Sequence, residues 1–264
     1  MEGDCNGGKF ELLSKTVPNL IMKQKVENNV ELEKQIQRAV RPYRAPILFF
    51  YDVGVYNIWN PFIWKCPSVH LEEHFKQYVR SPHLEAGCGT GYLLNRYMTS
   101  GKQASDHVKQ QFQLTLLDYS SGSLKWAARR LKHYTPYIIR HNLLLPLPPV
   151  SRSYESICLN YVLHCVPGSF TEKEKVIVNL KASMAPGGIL FGSTILGESS
   201  AKSYSAKLIL AFYNLLGSFN NVHDTEEGLI EALSKNFHYV DCHVIGSVAL
   251  FAASDRKFQR KMSP

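Results

Sequence analysis

From residue 83 to residue 196 the chain alternates between β runs and helical patterns, and no other feature constrains its fold as strongly. Strand signals are HLEA (83–86), FQLTLLD (112–118), YIIRH (137–141), ESICLNYV (155–162) and ILFGSTIL (189–196). Between them, SSGSLKWAARRL opens on capping serines and carries Leu124, Ala127, Ala128 and Leu131 on one face. TEKEKVIVNLKASM sets Thr171 and Glu174 at capping-box spacing and stops at Pro186-Gly187-Gly188. Helical stretches follow near 202–216 and 224–236, the second opening with Asp224 and Glu227 at that same spacing. Such alternation predicts an α/β fold built on a doubly wound, mainly parallel sheet. HYVDCHVIGSVALFAAS at the end reads as two β runs joined at Gly246-Ser247, a tight hairpin that inserts one antiparallel strand.

Ahead of this pattern, Val26, Val30, Leu32, Ile36 and Val40 predict an amphipathic helix between Asn19 and Val40, ended by Pro42 and Pro46. An aromatic-dense stretch, FFYDVGVYNIWNPFIWKCP (49–67), has no clear period. The chain therefore divides into an N-terminal helical and aromatic segment, 1–67, and a sheet domain, 68–264. The start, MEGDCNGGKF, has no basic-then-apolar signal pattern, and no apolar run approaches the length of a membrane span. Six scattered cysteines without a C-x-x-C pair read as reduced thiols of a cytoplasmic protein, with no metal site. The net charge of +8 raises a nucleic-acid reading, but the basic residues are dispersed. Their densest groups, KWAARRLK (125–132) and RKFQRK (256–261), read as a solvated helix face and a chain end.

Ligands of doubly wound sheets sit beyond the carboxyl ends of the strands, at the switch point. HLEAGCGTGYLL (83–94) lies there, with Glu85, Gly87, Gly89 and Gly91 at strict two-residue spacing. Glycine at that density marks a backbone that bends sharply or approaches a ligand closely. A dinucleotide site would want G-x-G-x-x-G, but the third position is Tyr92 and glycine comes one place early. A carboxylate at position 85 would also repel a pyrophosphate. It would attract a ligand with a sulfonium and an ammonium group, as in S-adenosylmethionine (SAM).

E-x-G-x-G-x-G after a first strand resembles motif I of the class I SAM-dependent methyltransferases. The resemblance spans about residues 68–253 and takes in the closing hairpin. It implies a seven-stranded Rossmann-like sheet with an antiparallel last strand, an N-terminal lid, and SAM as cofactor. By position it implies that Asp118, at the end of the second strand, accepts from both ribose hydroxyls, with Tyr119 beside it. Asn142 in RHNLLLPLP stands where relatives hold the adenine amino group, although an ordinary turn residue would look the same. Asn160, at the end of the fourth strand, would adjoin the methionine part, and Tyr51 of the lid joins the cofactor contacts. Gly91 and Asp118 are farther apart than is usual in the family, with TSGKQASDHVKQQ as the insertion.

Methyl transfer from a sulfonium needs mainly positioning of the acceptor and exclusion of water; a base helps only where the acceptor must lose a proton. Tyr161 and His164 are the catalytic candidates, a buried structural histidine being the alternative for the latter. The D-P-P-Y type of sequence, clustered catechol-site carboxylates and a paired-glutamate loop are all missing. The aromatic segment also resembles the entry segment of small microbial and fungal natural-product tailoring methyltransferases, which makes Tyr56, Trp59, Trp64 and, from AFYNLLGSFNNVHD, Phe219 candidate acceptor contacts. Rings that merely pack the lid onto the core are the alternative. The expected activity is methylation of nitrogen or oxygen on a small metabolite of secondary metabolism, by a monomer or homodimer without membrane or nucleic-acid partners. RNA or protein methylation, and SAM-assisted isomerisation or cyclisation without transfer, stay open.

Overall fold

A computed structural model describes residues 31–38, 53–99, 111–149, 153–198 and 203–259. Seven strands are present: β1 (His83–Ala86), β2 (Leu114–Asp118), β3 (Tyr137–Arg140), β4 (Tyr154–Asn160), β5 (Met184–Ile195), β6 (Tyr239–Ile245) and β7 (Val248–Ser254). They form one sheet in the order β3-β2-β1-β4-β5-β7-β6. Pairings from β3 to β5 are parallel, while β7 runs antiparallel to both β5 and β6. The order reverses between β1 and β4, so the switch point lies where the glycine turn leaves β1.

Among the described residues the α-helices are α1 (31–38), α2 (Ser68–Tyr78), α3 (Tyr92–Met98), α4 (Ser121–Arg130), α5 (Phe170–Lys181), α6 (Tyr204–Leu215) and α7 (Glu226–Ser234), with a π-helical segment at Val53–Ile63. Period-2 alternation along the strands divides the core into two layers. Leu116, Cys158, Phe191 and Leu250 pack with Leu71 and Phe75 of α2 and Leu94 of α3. Leu84, Leu117, Leu159 and Phe251 pack on the other face with Val176 and Ile177 of α5 and Leu229 of α7. Trp64 and Cys66, which by sequence fall in the N-terminal segment, belong to the first layer. No helix among the described residues is long and apolar enough to cross a membrane.

Local chemistry moves three predicted boundaries. The capping box of α5 is formed by Ser169 and Glu172, not Thr171 and Glu174: the Ser169 amide donates to Glu172 Oε2 at 2.7 Å, which lets Phe170 enter the helix and the core. Thr225, not Asp224, caps α7 by accepting from the Gly228 amide at 3.1 Å; Asp224 is drawn instead into a buried ion pair with Lys173. Helix α5 ends at Lys181, and Pro186-Gly187-Gly188 lies inside β5, where the β4 pairing shifts register between Tyr154 and Ser156. The Gly246-Ser247 turn joins β6 to β7 as expected and is tied down by the Ser247 amide donating to the Trp64 carbonyl at 2.8 Å. Tyr51 and most of TSGKQASDHVKQQ lie outside the described residues.

Candidate active site

A cleft opens at the carboxyl ends of β1, β2 and β4, lined by Glu85, Gly87, Gly89, Gly91, Asp118, Tyr119, Asn142, Asn160 and Tyr161, and closed on one side by Ile36 of α1. The glycine turn is held by the Gly87 and Cys88 amides, which donate to the Leu117 carbonyl at 2.7 and 3.0 Å. All three glycines have positive φ. They differ in what a side chain would meet. A Cβ on Gly87 would lie 2.3 Å from Val162 Cγ2, and one on Gly91 3.0 Å from Leu131 Cδ1, so those two are bare because protein fills the space. A Cβ on Gly89 would meet nothing within 4 Å and would project into open room. Gly89 is bare toward the cleft.

Asp118 is fixed beside that turn. Its Oδ2 accepts from the Gly89 amide at 3.1 Å and its Oδ1 from the Ser120 amide at 2.7 Å. Burial pushes its carboxyl up from 3.8 to about 6, against the pull of the Ser120, Gly89 and Tyr119 amides. Each oxygen keeps acceptor capacity beyond these bonds. Tyr119 stacks under the Arg140 guanidinium, 5.8 Å from the ring centroid, and its hydroxyl donates to Glu33 of α1. Asn142 Oδ1 accepts from the Leu144 amide at 3.0 Å, so the side chain lines the cleft while stabilising its own turn. Asn160 Oδ1 accepts from the Ser193 hydroxyl at 2.9 Å, which turns its amide nitrogen away from that bond.

Tyr161 has φ +54, a left-handed conformation that a bulky residue rarely adopts. It is held there by its amide donating to the Ser193 carbonyl and its hydroxyl donating to Asn60 Oδ1 at 2.9 Å. His164 is brought near Tyr161, with ring centroids 5.7 Å apart, but it does not line the cleft. Its Nδ1 accepts from the Ile195 amide at 3.4 Å, and burial, aided by the charge of Lys173, pulls its pKa down to about 3. An imidazole so weakly basic and so enclosed is a poor proton acceptor, and this geometry speaks against a general base.

Trp59, Trp64 and Phe219 likewise stay out of the cleft lining. They form a packed aromatic wall beyond Tyr161: Trp59 meets Tyr213 at 5.4 Å, Trp64 meets Phe219 at 6.3 Å, Tyr213 stacks on Phe219 at 4.9 Å, and Phe219 meets His164 edge-on at 4.4 Å. The Asn220 amide donates to the His164 carbonyl at 2.7 Å, which ties this wall to the turn after β4. Tyr56 lies on the π-helical segment, and its side chain is outside the described part of the structure. Sequence reasoning missed Arg130, which reaches back from α4 to donate to the Thr90 carbonyl at 2.9 Å and brace the glycine turn; its place in the basic run KWAARRLK hid that task. It also missed His83, behind Glu85, because a histidine inside a four-residue apolar-looking strand carries no spacing signal.

Comparison with known proteins accounts for this arrangement. Residues 84–190 match a family described as a methyltransferase domain. Methyltransferase aurB of Calcarisporium arbuscula is 32% identical over 216 residues, covering 80% of this chain and 94% of its own. The chain belongs to the class I SAM-dependent methyltransferases. Another relative, demethylluteothin O-methyltransferase of Streptomyces thioluteus, is 31% identical over 84% of this chain and 93% of its own. The solved DhpI–SAH complex has the same fold, with a TM-score of 0.56 at 16% identity, covering 84% of this chain and 98% of that one. The methyltransferase fold thus puts its strand switch point and its glycine turn at the cleft described above.

Proposed function

We propose that the cleft binds SAM and that the enzyme methylates an oxygen of a small organic acceptor in secondary metabolism. The observation that carries the reading is the turn at Gly89, where an absent side chain leaves open space directly beside a carboxylate, Asp118, with acceptor capacity to spare. That pairing suits a ribose diol lying against bare backbone. The acid at the other end of the turn, Glu85, suits the ammonium of an amino-acid head, and neither acid suits a pyrophosphate. When bound, SAM would supply an electrophilic methyl whose departing thioether is neutral.

The chain's own contribution is then positional. Asp118 would hold the ribose hydroxyls, and Asn160 and Glu85 the amino-acid head. Tyr161, locked by Asn60 and Ser193, would border the reacting end, next to the aromatic wall. Restricting the acceptor in this way is where most of the acceleration arises for such a displacement. Oxygen is favoured because several relatives carry that activity in their names, including the physcion biosynthesis cluster O-methyltransferase of Aspergillus chevalieri. A small acceptor is favoured by relatives named for small-molecule pathways, such as demethylluteothin O-methyltransferase.

Calorimetric titration with SAM, S-adenosylhomocysteine and NAD tests the cofactor. The first two should bind and the dinucleotide should not; the reverse order would overturn the reading. Incubation with methyl-labelled SAM and a panel of phenols, carboxylic acids and amines, read by mass spectrometry, tests the acceptor. Label on nitrogen alone, or on RNA or protein alone, would refute the oxygen assignment.

A further inference from the structure

Glu85 is the inner end of a buried polar thread. The register of β1 against β4 pairs His83 with Ser156 and Glu85 with Cys158, which sets polar groups on one face of two strands whose other face is apolar. His83 is wholly buried, with the rings of Phe75, Phe112 and Phe191 at 5.8, 6.1 and 6.2 Å. A polar ring persists in such surroundings only if its hydrogen bonds are made. Both are: Nδ1 lies 2.7 Å from Ser156 Oγ, and Nε2 lies 3.0 Å from Glu85 Oε2.

Counting protons decides how. The Ser156 hydroxyl has one proton. It stands 2.6 Å from the Arg80 carbonyl, which can only accept, so the proton points there. The same oxygen accepts from the Arg80 amide at 2.8 Å. What remains for His83 is a lone pair, so Nδ1 must carry hydrogen. A neutral imidazole has a single N–H, and with that hydrogen on Nδ1 its other nitrogen would turn a lone pair on the Glu85 oxygen. Two acceptors do not settle at 3.0 Å in a dry core. A second proton has to lie between them.

We infer that His83 is a doubly protonated positioning residue for the cofactor acid. It is an imidazolium anchored through Ser156 to the Arg80 backbone, and it grips one oxygen of Glu85. The carboxylate is thereby kept charged, compensated and aimed before any ligand arrives, although its side chain is only 7% exposed. Removing the grip would leave a buried, mobile carboxylate in the cleft. That Glu85 meets the ammonium of the amino-acid head rests on the function proposed above; the protonation of His83 does not.

The test has two arms. In ligand-free protein labelled with nitrogen-15 in its histidine rings, at pH 7, His83 should show attached protons on both ring nitrogens, assigned by their loss in His83→Gln. A single N–H with a bare partner nitrogen would overturn the inference, including the arrangement in which Glu85 holds the proton. The second arm titrates S-adenosylhomocysteine, which has the amino-acid head but no sulfonium, into wild type, His83→Leu and His83→Gln. The Leu variant should bind roughly tenfold or more weakly, and the Gln variant, whose amide can still donate to Glu85, should recover most of that loss. Wild-type affinity in the Leu variant, or no rescue by Gln, would sink the positioning role. If the Leu variant does not fold, the nitrogen signals and the Gln variant still decide. If wild type binds neither SAM nor its product, the proposed function fails, while the ring protons still decide the charge of His83 on their own.

Discussion

The cleft at the strand switch point and the aromatic wall meet at Tyr161, yet they are built by opposite means. On the cleft side, hydrogen bonds to backbone groups do the work: the Gly89 and Ser120 amides donate to Asp118, and an arginine braces the Thr90 carbonyl. On the wall side, residues far apart in the chain meet ring against ring, Trp59 and Trp64 on Tyr213 and Phe219, and the loop beneath them is held by a buried ion pair, Lys173 Nζ to Asp224 Oδ2 at 2.5 Å. The difference teaches which half can vary. Under the function proposed above, a cleft fixed by backbone hydrogen bonds would tolerate little change, whereas a wall of interlocking rings would leave more room for substitution.

Breaking the wall at its anchor should produce the largest effect. Lys173 also donates to the Asn220 carbonyl at 2.9 Å, and its side chain is fully buried. Lys173→Met leaves Asp224 buried and uncompensated, which costs about 3–5 kcal/mol; adding Asp224→Leu should return most of it. Denaturant unfolding measures both. Folded Lys173→Met should retain its SAM affinity while losing acceptor turnover. Equal loss of both would mean that the two regions are one unit.

On the cleft side, Gly89→Val should come next. Its φ of +50 strains any side chain, and the side chain itself enters the open space beside Asp118. SAM affinity should fall by about a hundredfold or more, equivalent to roughly 2.7 kcal/mol, in a protein that still folds. Calorimetry showing unchanged affinity would mean that the turn does not face the cofactor. Asp118→Asn should weaken binding about 10- to 100-fold, the range for hydrogen bonds to a charged acceptor. Wild-type affinity should also decline as pH falls below about 6, because burial raises this carboxyl from 3.8 and the proposed ribose contact is to its charged form. In Asp118→Asn that decline should vanish.

The same division explains what could be read from the sequence. HLEA, the glycine spacing and the acid closing FQLTLLD are local patterns, and the structure assembles Glu85, Gly89 and Asp118 in one cleft because strand alternation and a tight turn leave little choice. The parallel directions of β1 to β5 and the antiparallel β7 followed from the same alternation and hairpin. What stayed hidden depends on partners distant in the chain. Asp224 looks like a cap until Lys173 arrives from α5, and the rings of Trp59 and Phe219 look like a pocket until Tyr213 fills the space between them. His83 gives no sign of its role until β4 sets Ser156 beside it.

The smallest expected effect falls where the two regions touch. His164 accepts from the Ile195 amide and meets the Phe219 ring, and with a pKa near 3 it is neutral at any working pH. His164→Asn keeps an acceptor for that amide and loses the ring contact, a cost of about 1 kcal/mol. The pH dependence of kcat/KM between about 5 and 8 should not change; a lost limb in that range would restore His164 as a base. Stability gives the sharper reading. A histidine whose folded pKa lies below its unfolded 6.5 contributes stability that is present above pH 6.5 and lost as pH falls toward 3, by up to about 1.4 kcal/mol per unit. The variant should therefore unfold less readily with acid than its neutral-pH stability suggests. Asp118, with its raised carboxyl, acts in the opposite sense, its contribution being lost as pH rises from 3.8 toward 6. Unfolding curves across roughly pH 4–6 for His164→Asn and Asp118→Asn should bend in opposite directions from wild type, and a common direction would erase the distinction between wall and cleft.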